Sequence, residues 1–293
     1  MLRAMRWLSW IPVAMLIAAV AGCGDGDASA GGKPTVVATT TQVADFARNV
    51  AGDRVNVVQI LAPNADPHEY EVRPHDLEAL AGADLVVRSG GDVDDWLGEA
   101  ITGSGTDARV LTLSDGMKLR GDDPHWWQDP RNAVIAVHEI GRALGVRADA
   151  YTRKLERLDR AVAACIDKVP KAKRKLVTTH DALGYYAARY GIDVIGTVIP
   201  SLSTEGQPSA GDTANLIRTI KATGVKAIFA ESSVNPKVEA AIARETGAKV
   251  GKALWADSLG PKGSDGATYV QSIESNTKAM VDGFTGGAAT CSF

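Results

Sequence analysis

Cysteine is scarce in this 293-residue chain, three in all, and no two form a CxxC pair, so a thiolate metal site is not supported. No HExxH occurs either, which removes the zinc-peptidase arrangement in which ligands share one helix. Aromatic residues make up only 5%, with no glutamine or asparagine tract, no long proline-rich run and no sustained heptad register; disorder and coiled coil are poor readings. Beyond the N-terminal leader, no segment approaches the roughly 20 apolar residues that a bilayer span needs. What remains is ordinary globular composition, 45% hydrophobic and 23% charged, with length for two domains of roughly 130 residues each.

The leader is different in kind. Arg3 and Arg6 precede an apolar run from Trp7 to Val20, and small residues follow, which reads as an export signal over residues 1–22. Val20-Ala21-Gly22-Cys23 resembles a bacterial lipoprotein box, in which Cys23 becomes the first mature residue and carries lipid; simple cleavage after a small residue is the alternative. The protein is therefore expected at the outer face of the cell membrane, or in the periplasm, touching the membrane only through its lipid. Residues 23–33 are small and polar and suit a flexible tether, with structure beginning near Pro34. Losing Arg3 and Arg6 leaves 30 basic against 35 acidic residues, a formal charge of −5, and nothing that invites nucleic acid. Of the remaining cysteines, Cys165 and Cys291 could form one disulfide in an oxidising compartment, pinning the C-terminal tail to a mid-chain helix; two free or intermolecular thiols are the alternative.

From Pro34 onward β-rich runs alternate with helical ones. PTVVATT, RVNVVQIL, DLVVRSG and ARVLTL read as strands. Helices are expected over TQVADFARNVAG, from Pro74 and Asp76, from Asp94-Asp95, and from Arg131 to Leu144. Residues 149–169 lack glycine and proline and place Leu155, Leu158, Val162, Cys165 and Ile166 at helical spacing, so one long amphipathic helix is expected there. The alternation then restarts with strands KLVTTH, DVIGTVIP, KAIFAES and KVGKALWAD, interleaved with helices ALGYYAARYG, Asp212–Ala222, Pro236–Thr246 and a last one from Ala267. Strands separated by helices predict an α/β fold of two doubly wound parallel-sheet lobes, at 34–146 and 171–293, with residues 147–170 as the connecting helix. In such sheets ligands collect at the carboxyl ends of the strands.

Only five histidines occur, and three of them sit in polar junctions: His68 in LAPNADPHEYE, His125 in GDDPHWWQDP and His180 in KLVTTHDALGYY. Asp257 in LWADSLG also ends a strand. A lone loop histidine is ordinarily a surface or hydrogen-bonded residue, but four such groups at strand ends together point to a metal. They are more than fifty residues apart, so only a tertiary cleft could assemble them. Three imidazole nitrogens and one carboxylate suit Zn²⁺, whereas Mn²⁺ sites take more oxygen.

At this point the residues resemble a family, the solute-binding proteins of zinc and manganese ABC importers. The resemblance spans about residues 34–284. It rests on PNADPHEYEVRPHDLEAL, DPHWWQDPRNAV, VTTHDALGYYAARYGI, FAESSVNPK and WADSLG, in that order. It implies two lobes joined by a rigid helix, with metal in the cleft between them. It also implies that His68, His125, His180 and Asp257 are the ligands. The function it implies is metal capture outside the cytoplasm and delivery to a membrane permease powered by a separate ATPase, with a metallochaperone as a candidate further partner and a monomer as the expected state. Manganese binders of the family commonly carry a carboxylate where His180 stands, which favours Zn²⁺ over Mn²⁺ here. The chain departs from one zinc-importer pattern in lacking a long His- and Asp-rich loop between His68 and His125.

Neighbouring residues have weaker claims. Glu231 ends a strand and is a candidate for an alternate ligand or for a group behind the ligands. Asp66, Glu69, Asp129 and Asp181 could fix imidazole tautomers, but each serves as readily as a helix cap or turn charge. His75 and His138 are expected in solvent, and the Trp126-Trp127 pair is expected to pack the cleft wall. A zinc hydrolase would need an open coordination position and a general base, for which only Glu231 could be volunteered, so no enzyme activity is expected. A surface adhesin with a structural metal is the other rival, distinguishable because chelation should unfold it.

Overall fold

Four short runs rich in valine and leucine build the first sheet. In the computed structural model, which describes residues 32–293, they are β1 (Thr35–Ala38), β2 (Asn56–Gln59), β3 (Leu85–Arg88) and β4 (Arg109–Thr112). The export signal at 1–22, Cys23 with its lipid box and the tether up to residue 31 lie outside the described residues. The strands run parallel in the order β2-β1-β3-β4, with Val36 opposite Val57, Val37 opposite Val86 and Val86 opposite Val110. The two inner strands are almost wholly buried, so they read as continuous apolar runs; the outer two are partly exposed and more mixed.

Helices α1 (Thr41–Ala51), α2 (Pro74–Ala81), α3 (Leu97–Ser104) and α4 (Pro130–Leu144) connect and flank these strands. Their ends are written in the sequence. The Thr40 hydroxyl accepts the Val43 N–H to open α1. The Asp129 carboxylate does the same for Arg131 at α4, where Pro130 occupies a position whose N–H would have no helical partner. Gly145, at φ 65°, ends α4 in a left-handed turn that a side chain would strain.

The long amphipathic segment forms α5 (Asp149–Ile166), three residues shorter than expected. Lys168 and Val169 donate instead to Cys165 and Ile166 in tight turns, because Pro170 disfavours a helical Val169. The buried face of α5, including Leu155, Leu158 and Val162, packs on α4 and on the last helix of the chain. Cys165 on this face is paired with Cys291, their Cα atoms 5.6 Å apart, within the ordinary span of a disulfide.

The second sheet holds β5 (Lys175–Thr178), β6 (Asp193–Thr197), β7 (Ala227–Ile228) and β8 (Lys249–Val250), with α6 (Gly184–Tyr190), α7 (Ala210–Thr223), α8 (Lys237–Thr246) and α9 (Tyr269–Thr285) around it. β5 pairs with β6 and β7 with β8, all parallel, and a bridge from Thr178 to Phe229 joins the two pairs. The resulting order β6-β5-β7-β8 repeats that of the first sheet. β7 and β8 are shorter than KAIFAES and KVGKALWAD suggest. Gly251 N–H reaches the Ile228 carbonyl and Leu254 N–H reaches that of Ala230, so one strand advances three residues against two. The ladder loses register where Gly251 crosses Phe229 so closely that a Cβ would lie 2.6 Å from the ring.

One large apolar core is shared by both sheets, drawing in Phe46, Trp126, Tyr151, Leu155, Tyr186 and Tyr269, and a smaller core lies against each sheet, around Val86 in the first and Ile228 in the second. Phe46 meets Tyr269 edge-on at 4.9 Å, tying α1 to α9 across the whole length of the chain. Lys33–Phe293 therefore forms one compact unit. Among the described residues no helix is long and apolar enough to cross a membrane.

Candidate metal centre

The carboxyl ends of both sheets face one buried point. His180 lies two residues beyond β5, Glu231 continues β7 and bridges Leu254, and Asp257 follows that bridge by three residues. His68 sits in the loop between β2 and α2, and His125 in the segment between β4 and α4. Strand direction thus delivers all of them to the same side, as the parallel topology requires.

Each of His68, His125, His180 and Asp257 offers one ligand atom, and the four atoms lie within 4.8 Å of one another. His180 Nε2 is 3.3 Å from His125 Nε2 and 3.1 Å from Asp257 Oδ2. Asp257 Oδ2 is 3.4 Å from His68 Nε2, and Asp257 Oδ1 is 3.5 Å from His125 Nε2. An ion bound at the usual zinc distance of about 2.0–2.1 Å would hold tetrahedral neighbours about 3.3 Å apart. The side chains of His125, His180 and Asp257 are fully buried, and that of His68 is only 4% exposed.

Two imidazoles are oriented from behind. His180 places Nδ1 2.6 Å from Glu231 Oε1, and the same oxygen accepts the His180 backbone N–H. His125 places Nδ1 2.9 Å from Asp123 Oδ1, which also accepts the His125 backbone N–H. A proton held on each Nδ1 leaves the Nε2 lone pair pointing at the shared centre. By contrast His68 Nε2 and both oxygens of Asp257 are buried without a hydrogen-bond partner, since their close approaches lack hydrogen-bond alignment. Leaving such atoms unpaired costs about 1–3 kcal/mol each, more for a charged group, and a cation between them would remove that cost. The residues present fit a divalent metal.

The electrostatics agree. Burial alone would push the Asp257 carboxyl up, but His180 and then His125 hold it well below the usual carboxylate range. Burial opposes charge on His180, yet Asp257 and Glu231 together raise its pKa well above that of an ordinary imidazole. Glu231 is raised, because burial outweighs the attraction of His180. The cluster is a concentrated negative pocket that will hold positive charge, proton or metal.

The four residues expected to meet do meet, and Glu231 stands behind His180. His75 and His138 are exposed, one beside Asp76 and the other against Thr152. Asp129 is the cap of α4 and pairs with Arg131, and Glu69 is exposed; neither contacts a histidine ring of the cluster. Asp66 accepts the His68 backbone N–H rather than a ring proton. Trp127 packs edge-on against His125 at 5.3 Å and donates its indole N–H to the Ala256 carbonyl, forming a wall that crosses between the two halves. Asp123 was not singled out in the sequence. The signal was present, because the Asp-Pro-His triplet of 66–68 recurs at 123–125.

A family model described as "Zinc-uptake complex component A periplasmic" (ZnuA) matches residues 36–283. Zinc-binding protein TroA of Treponema pallidum is 32% identical over 88% of this chain and 91% of its own length. Manganese-binding lipoprotein MntA of Bacillus subtilis is likewise 32% identical, over 89% of this chain and 95% of its own. The solved structure of periplasmic zinc-binding protein TroA superposes with a TM-score of 0.79 at 28% identity, covering 86% of this chain and 99% of that one. A cadmium-bound periplasmic metal-binding protein from Candidatus Liberibacter asiaticus gives 0.78 at 25% identity, over 86% and 100%.

Proposed function

The chain belongs to the family of zinc-uptake complex component A periplasmic proteins, and from that premise we propose that it captures Zn²⁺ outside the cytoplasm and hands it to the permease of an ABC importer. His68, His125 and His180, each through Nε2, and Asp257 through its carboxylate are the ligands. α5 is the rigid element joining the two lobes at 34–146 and 171–293, and the lipid on Cys23 keeps the protein at the membrane. A separate ATPase drives transport, and the protein works as a monomer. The family is one of transport components rather than of enzymes.

The observation that carries the reading is the set of buried, unpaired atoms, His68 Nε2 and both Asp257 oxygens, facing two imidazole nitrogens 3.3 Å apart. Three nitrogens and one carboxylate at these separations favour a tetrahedral Zn²⁺. Mn²⁺ is the second reading. Both Asp257 oxygens are unpaired, so the carboxylate can bind through two atoms and raise the coordination number, and MntA is named for manganese. Metal analysis of the purified protein, followed by competition between Zn²⁺ and Mn²⁺ in titration calorimetry, tests both. Zn²⁺ should displace Mn²⁺ at equal concentration; stable retention of Mn²⁺ against Zn²⁺ would reverse the assignment. Chelation should leave folded apo-protein, whereas unfolding would indicate a structural metal.

A further inference from the structure

The two histidines contributed by the first half occupy identical Asp-Pro-His triplets, Asp66-Pro67-His68 and Asp123-Pro124-His125. In both, the aspartate Oδ1 accepts the backbone N–H of the histidine two residues on, at 3.0 Å. What differs is how each aspartate is held, and in both cases the second half holds it. Thr204, 6% exposed and in the stretch between β6 and α7, donates its hydroxyl to Asp66 Oδ2 at 2.7 Å. Tyr185 on α6 donates its hydroxyl to the Asp123 carbonyl at 3.2 Å while accepting the Arg120 N–H at 2.8 Å. The Arg120 guanidinium lies 5.6 Å from the centre of the Tyr185 ring. The α6 backbone comes so close to this turn that a Cβ on Gly184 would sit 2.8 Å from Asp123 Oδ2.

We infer that Thr204 and Tyr185 are positioning residues, two hydroxyl latches by which the second lobe fixes the histidines of the first and thereby sets how fast the metal leaves. The inference rests on the metal-binding reading given above and extends it. Neither hydroxyl touches the ligand atoms. Without these hydroxyls Asp66, which holds the His68 backbone N–H, loses its outside donor, and the Asp123 turn, which holds the His125 ring, loses its anchor to α6. The rate of metal release thus depends on contacts between the two halves without any ligand changing its chemistry.

The test uses the full mature protein loaded with Zn²⁺ and, in parallel, with Co²⁺. Release of Zn²⁺ into excess chelator, followed by stopped flow, should be roughly 3- to 10-fold faster in Thr204→Val and in Tyr185→Phe, the effect of one net hydrogen bond. Thr204→Ser should restore the wild-type rate, because it keeps the hydroxyl. The visible spectrum of the Co²⁺ form should shift in Thr204→Val and Tyr185→Phe and not in Thr204→Ser. Unchanged release and spectrum in a pair of variants that still bind metal overturn the latch, as does a Thr204→Ser protein that behaves like Thr204→Val, which would make the effect one of packing. A wild-type protein that takes up neither ion overturns the underlying function instead.

Discussion

The two lobes share one strand order and supply the site in opposite ways. In the second, His180 stands two residues past β5 and is backed by Glu231, three residues past the adjoining β7, so both groups leave neighbouring strand ends together. In the first, His68 stands nine residues past β2 and His125 thirteen past β4, on longer loops. Their aim comes from Asp-Pro-His turns and from contacts made by the other lobe. The second lobe supplies one imidazole, held by Glu231, and one carboxylate without a partner; the first supplies two imidazoles, of which His125 is held by Asp123 of its own turn and His68 has no group behind its ring.

The largest effects should fall on the four proposed ligands. His180→Ala and Asp257→Ala remove the pair from the second lobe, and titration calorimetry should find Zn²⁺ affinity reduced more than the roughly 10- to 100-fold expected for supporting residues. His68→Ala and His125→Ala should also exceed that range. His75→Ala and His138→Ala should leave affinity unchanged; a loss at His75 matching that at His68 would mean the wrong histidines have been assigned. Next comes Glu231→Ala, expected to weaken binding by about 10- to 100-fold because His180 loses the acceptor that fixes its tautomer. It should also lower the stability of the metal-free protein by about 1–3 kcal/mol by leaving a buried donor unpaired. If Glu231→Ala matched wild type in affinity, the second half-site would not be held by its carboxylate and the contrast between lobes would lose its basis.

Much of the fold and the four candidate ligands are legible in the sequence. β1, β3 and β5 declare themselves as continuous apolar runs, and Thr40, Asp129, Pro130 and Gly145 mark helix ends by local chemistry alone. The four ligand candidates stood out because histidine and aspartate at polar strand ends have few other reasons to recur. Pairing order did not show, since Thr178 meets Phe229 across fifty residues and nothing local encodes it. β7 and β8 came out short because the constraint on Gly251 is the ring of Phe229, distant in sequence. Asp129 and Asp123 look alike on paper. Which one backs a ring depends on the path from His125 through Trp126 to the start of α4, where Asp129 is spent on the Arg131 N–H.

A smaller and reversible effect should come from pH. Because the His180 pKa is raised in the folded apo-protein, its contribution to stability is fully present below about pH 6.5 and is lost as pH rises through the elevated value. The Asp257 pKa is depressed, so its contribution is present above about pH 4 and is lost only as pH falls through the lowered value. Coordination through His180 Nε2, as proposed, requires a neutral ring, so metal and proton would compete for one place. The melting temperature of the apo-protein should fall as pH rises above about 6.5 while the gap between loaded and apo forms widens. In His180→Ala the alkaline fall should flatten; a fall as steep as in wild type would place the responsible group elsewhere.

The smallest effect on the metal should come from the Cys165–Cys291 link, which fastens the tail to α5 and lies in neither sheet. It closes a loop of 126 residues, and its removal should cost about 2–4 kcal/mol of stability through a freer unfolded chain. For a chain of this size each kcal/mol lowers the melting temperature by about 2–4 °C, so Cys165→Ala should melt roughly 5–15 °C lower. Zn²⁺ affinity should nevertheless stay within about twofold, since α5 supplies no group to the site and both half-sites keep their partners. The measurement is sharp because the two readouts should separate. If affinity fell along with melting temperature, α5 would be transmitting its packing to the loops of His68 and His125, and the first lobe's part of the site would depend on the connecting helix as well as on the hydroxyls of the facing lobe.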